Sequence, residues 1–290
     1  MSRLILTAAL LWTFACTSHA TPPRPSDPPK GPVSKEELAR VRQRADYIYF
    51  SERAAIKATD LLIAREDIDK SRLNRFLVVP REGFWYVLFG QVTDLGTFTP
   101  VYAYRAPRQE PEEMEIVSVE KLPGDFHSVS RAVKTAVEIV FKAQGRGTIN
   151  PIVIEEKDEL IVYVMQGSHV AGVTVLGGDY RFRFSKDGRK LLEETPLHTQ
   201  LIGVDVRVRA NEYAGAMHTH VLFPGPLETE LAMLRLFPQM RELIVGDPRT
   251  GYVYRLRPDG SIEPLNLEEM KRSVQGGSSQ PAKDAEGMRL

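Results

Sequence analysis

The chain has 290 residues, 42% hydrophobic and 26% charged, the balance of a folded globular body, which excludes a collagen-like, coiled-coil or wholly disordered polymer. Thirty-eight basic residues against 38 acidic ones leave a formal net charge of zero. The broad attraction used in nonspecific nucleic-acid binding or polybasic membrane contact is therefore missing, and no nucleic-acid partner is expected. The single cysteine, Cys16, excludes an internal disulfide framework, a cysteine-built zinc site and a dithiol redox pair.

The N-terminus places Arg3 before an uncharged apolar run, Leu4 to Ala15. That run is shorter than the roughly 20 residues a spanning helix needs and fits the hydrophobic region of a signal peptide. Two boundaries compete. In one, residues 1–20 form the signal, with Ser18-His19-Ala20 preceding Thr21. In the other, residues 1–15 are removed and Cys16 becomes a lipid-bearing first residue, although Thr13 and Phe14 depart from the branched aliphatic and small residues usual in a lipoprotein signal. Residues 21–33 are proline-rich and read as an extended tether. Either boundary puts the body outside the cytoplasm, periplasmic or membrane-anchored as a lipoprotein of a Gram-negative bacterium, with membrane contact only through the lipid.

The body reads as two α+β units, 34–120 and 121–270, followed by a polar tail at 271–290. Ser34-Lys35-Glu36-Glu37 has the spacing of a capping box, and Leu38, Val41, Ile48, Ala55, Ile56, Leu62 and Ile63 then recur on one predicted helical face. Apolar runs at 76–79 and 84–92, separated by Pro80-Arg81-Glu82-Gly83, predict a hairpin, and 99–104 a third strand. In the second run both parities are apolar, which predicts cover on both faces. The acidic, proline-bearing stretch 105–115 reads as a loop.

The pattern then restarts. Ser128 can cap a helix carrying Val129, Val133, Val137, Val140 and Phe141, with Gly145 near its end. A second hairpin follows at 152–154 and 160–165. The expected fold class is α+β, with antiparallel sheets, helices packed on one side and tandem helix-hairpin half-repeats. In element order this resembles cystatin-like or PepSY-type modules. Further strands are predicted at 179–185 and 203–209. If these two are neighbours, Arg181, Arg183, Arg207 and Arg209 form a basic face for an anionic ligand, or the solvated side of an amphipathic sheet.

The segment from Ala214 to Leu231 carries the most chemistry. His218 and His220, two apart on a strand, point the same way, as a divalent metal requires. Gly225-Pro226 then opens a helix with Glu228 and Glu230 in its first turn, where a carboxylate could turn back as a third ligand. His198, in a loop after Pro196, could join a three-histidine site, although a plain loop residue is the simpler account.

Residues 213–257 resemble a degenerate JAMM motif of JAB/MPN-type zinc metallopeptidases, in which His-x-His at a strand end precedes Ser-x-x-Asp at a helix start. The resemblance implies zinc, with His218 and His220 as ligands and Glu230 as a third. Leu227 stands where the family has serine, and Val221 replaces a proline. Read without the shift that aligns the proline, Glu228 and Leu231 fall at the serine and aspartate positions instead. The family's upstream glutamate base has only Glu138, Glu155 and Glu156 as candidates by position. No Gly-x-Ser-x-Gly elbow or phosphate-binding glycine loop is present in the sequence.

Gly177-Gly178-Asp179-Tyr180-Arg181-Phe182, the His-Thr-His segment and the Pro258-Asp259-Gly260 turn also resemble uncharacterised exported bacterial proteins. The leading expectation is a non-catalytic cell-envelope protein, its two imidazoles idle, that binds an envelope protein or a cell-wall component; nothing in the sequence indicates a nucleotide cofactor, and zinc is the candidate cofactor. The alternative is a divergent JAMM-like zinc hydrolase; a third reading is a pH-responsive surface built on the same imidazoles. For the mature N-terminus, intact-mass spectrometry should show either acyl mass on Cys16 or a chain starting at Thr21; an uncleaved Met1 would contradict export by either route.

Overall fold

The computed structural model describes residues 31–207 and 216–268. The leader with Cys16, most of the tether, Arg209 and the 271–290 tail lie outside the described residues.

Helix α1 (Lys35–Ile63) starts where Ser34 Oγ accepts from the Glu37 amide at 3.2 Å. That bond satisfies a first-turn donor that the helix itself cannot. Its buried stripe is Leu38, Val41, Ala45, Ile48, Ala54, Ala55, Ala58 and Leu62. Ile56 and Ile63, expected on that stripe, are exposed. The buried positions in the helix's second half are largely alanines, whose small side chains allow close approach to the sheet beneath.

Strands β1 (Arg75–Arg81) and β2 (Phe84–Val92) form the expected hairpin around Glu82 and Gly83, both at positive φ, as a two-residue primed turn demands. β3 (Phe98–Pro107) and β4 (Glu115–Val117) complete an antiparallel sheet in the order β1-β2-β3-β4. The strand therefore continues through 105–107, where the sequence suggested a loop, because Arg105 pairs with Glu115 across the β3–β4 ladder.

Helix α2 (His127–Gln144) begins one residue before the expected cap; Asp125 Oδ1, not Ser128, takes the His127 amide at 3.0 Å. Next come β5 (Ile149–Glu155), β6 (Glu159–Gln166), β7 (Val173–Gly177), β8 (Tyr180–Ser185), β9 (Leu191–Pro196) and β10 (Leu201–Asp205). A second antiparallel sheet has the order β5-β6-β8-β9, and β7 leaves it to pair with β10. The chain ends its described part with β11 (Ala216–Thr219), α3 (Glu228–Leu236), β12 (Leu243–Asp247), β13 (Tyr252–Leu256) and β14 (Ile262–Asn266), whose sheet runs β11-β12-β13-β14. β11 and β12 are parallel, with α3 as the crossover that parallel neighbours require.

The molecule is an α+β protein with three α-helices among the described residues. β2 is covered on both faces: Trp85, Val87 and Phe89 cluster with Ala54, Ala55 and Ala58 of α1, while Tyr86 and Leu88 cluster with Val129, Val133 and Val137 of α2. The second sheet repeats this. Leu160, Val162 and Phe182 join the α2 cluster, and Ile161 and Tyr163 join a cluster with the start of α1, α3 and the last sheet. One long helix thereby links the cores of both sheets, and β1 lies beside β5 with an Arg81–Glu155 ion pair at their ends.

Where α1 crosses between these cores it buries Glu52, whose Oε2 accepts from Asn150 Nδ2 at 3.1 Å. No cation pairs with it among the described residues. Burial pushes its pKa up to about 7 although the Asn150 bond pulls the other way. The folded state then holds a proton that the unfolded chain releases near its ordinary value, so this group destabilises the fold progressively as pH rises from the unfolded value toward about 7. Glu52→Gln should stabilise the protein by up to about 3 kcal/mol at pH 8 and by almost nothing at pH 4, read from urea unfolding at both pH values. A benefit of equal size at both pH values would contradict this account.

Candidate metal centre

β11 positions the first two donors. Its alternation leaves Met217 and Thr219 exposed while His218 turns inward, and the His220 amide continues the ladder by donating to the Gly246 carbonyl at 2.9 Å. Both imidazoles therefore face one side, with Nε2 atoms 3.1 Å apart. Beyond the strand, Gly225 sits at φ 71°, a conformation glycine adopts without penalty, and a Cβ there would meet Val33 Cγ2 at 2.5 Å. That turn aims the Gly225 carbonyl at His220 Nδ1, 2.6 Å away.

Glu230 is the third residue of α3. Its Oε2 accepts from the Leu227 amide at 2.7 Å, half of a capping box, and this fixes Oε1 against the histidines. Oε1 lies 2.9 Å from His220 Nε2, 3.3 Å from His198 Nε2 and in closest contact with His218 Nε2. The start of α3 is itself anchored, since Glu228 accepts from the Tyr163 hydroxyl of β6 and lies 3.4 Å from Arg181 Nη1.

His198 is the fourth member. Gly177 and Gly178, both at positive φ, turn the chain between β7 and β8, and a Cβ on Gly177 would stand 2.2 Å from the Gln200 carbonyl. The Leu197 amide donates to the Asp179 carbonyl at 2.9 Å. This brings the Asp179 carboxylate onto His198 Nδ1, with His198 Nε2 3.2 Å from His220 Nε2.

The four ligand atoms, three imidazole nitrogens and one carboxylate oxygen, all lie within 4.8 Å of one another. A tetrahedral ion at ordinary zinc–nitrogen distances would separate its ligands by about 3.3 Å, close to the 2.9 to 3.3 Å that separate His198, His220 and Glu230. Glu230 and His220 are 1% and 3% exposed.

Protonation makes the case for a cation. A carbonyl only accepts, so His220 Nδ1 carries the hydrogen and the ring, when neutral, presents a lone pair at Nε2. The Asp179 carboxylate imposes the same tautomer on His198. Two lone pairs then face each other beside a buried carboxylate oxygen, a repulsive arrangement unless positive charge sits among them. Burial opposes charging the rings, but the Asp179 and Glu230 carboxylates outweigh it and raise His198 to about 10, and Glu230 does the same in direction for His220. Burial would raise Glu230, yet His220 and the other two imidazoles hold it well below the usual carboxylate range. A group of this composition, buried and converging, can hold a metal ion.

The structure brings His218, His220 and Glu230 together and adds His198. It does not bring Arg181 and Arg183 beside Arg207, and Arg209 lies outside the described residues. β10 ends at Asp205, short of the expected strand over 203–209, and pairs with β7, whereas β8 lies between β6 and β9. Arg183 is engaged by Glu159 and Glu193, Arg207 by Asp205, and Arg181 faces Glu228. Glu228, the other first-turn carboxylate, is committed to Tyr163, and Leu231 is buried in the core. Glu138, Glu155 and Glu156 pair with Lys134, Arg81 and Arg44. The signal for His198 lay in Gly177-Gly178-Asp179, a forced turn delivering a carboxylate, which the sequence shows without its partner.

The imidazoles open onto a cleft of about 280 Å³, walled by Leu176, Leu197, Ile202, Val221 and Leu222, with Thr199, Gln200 and Thr219 as polar lining. No protein family, curated protein or solved structure matches this chain. Among the described residues no helix is long and apolar enough to cross a membrane.

Asp179 orients His198 without reaching the cluster centre itself. Replacing such an outer partner typically costs 10- to 100-fold in metal affinity. Asp179→Asn should weaken zinc binding by about that factor in a chelator competition, while Arg183→Gln, at an arginine committed to Glu159 and Glu193, should leave it unchanged. Equal affinities for Asp179→Asn and the parent would remove Asp179 from the site.

Proposed function

We propose that this is an exported protein whose body binds one divalent transition metal ion, zinc in the first instance, through His198, His218, His220 and Glu230. The observation that supports this most is the convergence of three imidazole nitrogens on one buried carboxylate oxygen, with the His198 and His220 rings each fixed by a hydrogen bond at the other ring nitrogen. Three imidazoles with one carboxylate suit zinc and its first-row neighbours and disfavour calcium or magnesium, which prefer all-oxygen shells.

The role we assign is binding. The metal would sit at the floor of a cleft, where a ligand entering from it would add a fifth donor to the four protein ones, so this reading keeps an envelope-located binding protein and replaces idle imidazoles with a site. Its expected partner is an envelope protein or a cell-wall component, with no nucleic acid.

A second reading, a divergent JAMM-like zinc hydrolase, is favoured by one observation: the imidazoles face an open cleft rather than the closed interior of a structural zinc site. In it, the metal would supply the activated water, His218, His220 and Glu230 would hold it, and His198 with Asp179 would orient that water's proton or complete the shell. No carboxylate lines the cleft to act as a free base among the described residues.

Protein purified without an affinity tag should carry or take up about one zinc per chain, measured by elemental analysis. An excess of 100 times Kd should stabilise the fold by about 2.7 kcal/mol in thermal unfolding. The double variant His218→Ala, His220→Ala should lose both effects while keeping its far-UV circular dichroism. A folded parent that takes up no zinc, manganese, cobalt or nickel would refute the proposal. Zinc-dependent cleavage of a chromogenic ester or amide, absent in the double variant, would favour the hydrolase reading over simple binding.

A further inference from the structure

The cleft over the centre has a narrow chemical character. Of its lining residues, five are aliphatic, three are uncharged polar, and none is arginine, lysine, aspartate or glutamate. A phosphate, nucleotide or acidic sugar would need cationic or bidentate donors there, and a neutral sugar would need many more polar partners than Thr199, Gln200 and Thr219 provide.

The apolar lining continues outward. Ile202 on β10, and Val221 and Leu222 after β11, are both cleft walls and exposed large hydrophobics. Exposed aliphatic side chains gathered round one opening mark a recognition surface more often than scattered single residues do. The volume of about 280 Å³ lies at the small end of ligand sites, which suits a short chain rather than a folded protein loop. A peptide laid in the cleft would bring a backbone donor and acceptor with every residue, each needing a partner when buried, and the three polar side chains are few for that.

We propose that the cleft takes a short aliphatic acyl chain, its hydrocarbon against Leu176, Ile202, Val221 and Leu222 and its oxygen-bearing head on the metal held by His198, His218, His220 and Glu230. This rests on the metal-binding reading for the head group alone. The hydrocarbon half depends only on the walls.

That division makes the test separable. Straight-chain alkyl hydroxamates of increasing length are titrated calorimetrically into the full chain, once zinc-loaded and once metal-free. The expected result is affinity rising about three- to fourfold for each added methylene in both forms, until the cleft is filled, with tighter binding throughout in the zinc-loaded form. Ile202→Asp and Leu222→Asp, both at partly exposed positions that tolerate charge, should flatten the dependence on chain length while circular dichroism stays unchanged. A length dependence without any advantage from zinc would support the acyl cleft and sink the metal reading alone. A flat series in both forms would overturn the proposal whatever the metal does. So would tighter binding of N-acetyl-leucine hydroxamate than of the straight-chain compound of equal carbon number, because that outcome assigns the cleft to a peptide side chain.

Discussion

Three imidazole Nε2 atoms and one carboxylate oxygen lie within 4.8 Å of one another, and two of the rings are fixed so that, when neutral, they turn lone pairs inward. Water cannot dilute the repulsion because Glu230 and His220 are buried. Something positive has to sit among these donors: protons drawn onto the rings, which is why His198 and His220 are raised, or one metal ion. The rest of the architecture around the site can be read as the means of keeping those donors in place despite their mutual repulsion.

Each donor is fixed twice, by its element and by an outer hydrogen bond. His220 is tied by its amide to Gly246 and by Nδ1 to Gly225. Glu230 is tied by the helix and by the Leu227 amide. His198 is tied through Leu197 to the Asp179 backbone and by its own ring to the Asp179 side chain. The elements are in turn pinned by the common core: α3 through Leu231, Ala232 and Leu234, β12 through Leu243 and Val245, and β6 through Ile161 and Tyr163. Tyr163 also reaches Glu228 at the head of α3, coupling the second sheet to the turn that carries Glu230. Arg44 of α1 stands 3.8 Å from the same carboxylate, so the long helix contributes to that anchor.

How much of this was legible follows from the range of each interaction. The His-x-His pair is local: period two on a strand puts both rings on one side whatever the fold does. Glu230 is also local, because the third helical position is where a carboxylate turns back to the preceding backbone. His198 is not local. Its approach depends on β7 leaving the second sheet to pair with β10, and on the turn at Gly177 and Gly178 that swings Asp179 toward the His198 loop. The same departure undid the arginine face, since alternation correctly separated Arg181 and Arg183 from Phe182 and Phe184 but carried no information on which strand would lie beside β8. On α1, helical spacing predicts Ile56 and Ile63 on the apolar face, yet both are exposed, because Ala54, Ala55 and Ala58 occupy the side that meets the sheet. The double-sided apolar pattern of β2 was readable because cover on both faces leaves no polar parity at all.

The way the donors are held bears on what a bound ion would do. A structural zinc site in a small domain supplies folding free energy because its ligands have no other reason to meet. Here the ligands come from β11, α3 and the loop after β9, all attached to a large apolar core through side chains other than the ligands themselves. The fold has already met the entropic cost of bringing them together, so most of the metal's binding free energy remains as affinity instead of being consumed in ordering the chain. An ion bound at the floor of this cleft would face mainly aliphatic walls on its open side, so an incoming oxygen ligand would bring its hydrocarbon tail out of water. On the proposed reading, position as well as the donor set would suit this centre to capturing a ligand from the cleft.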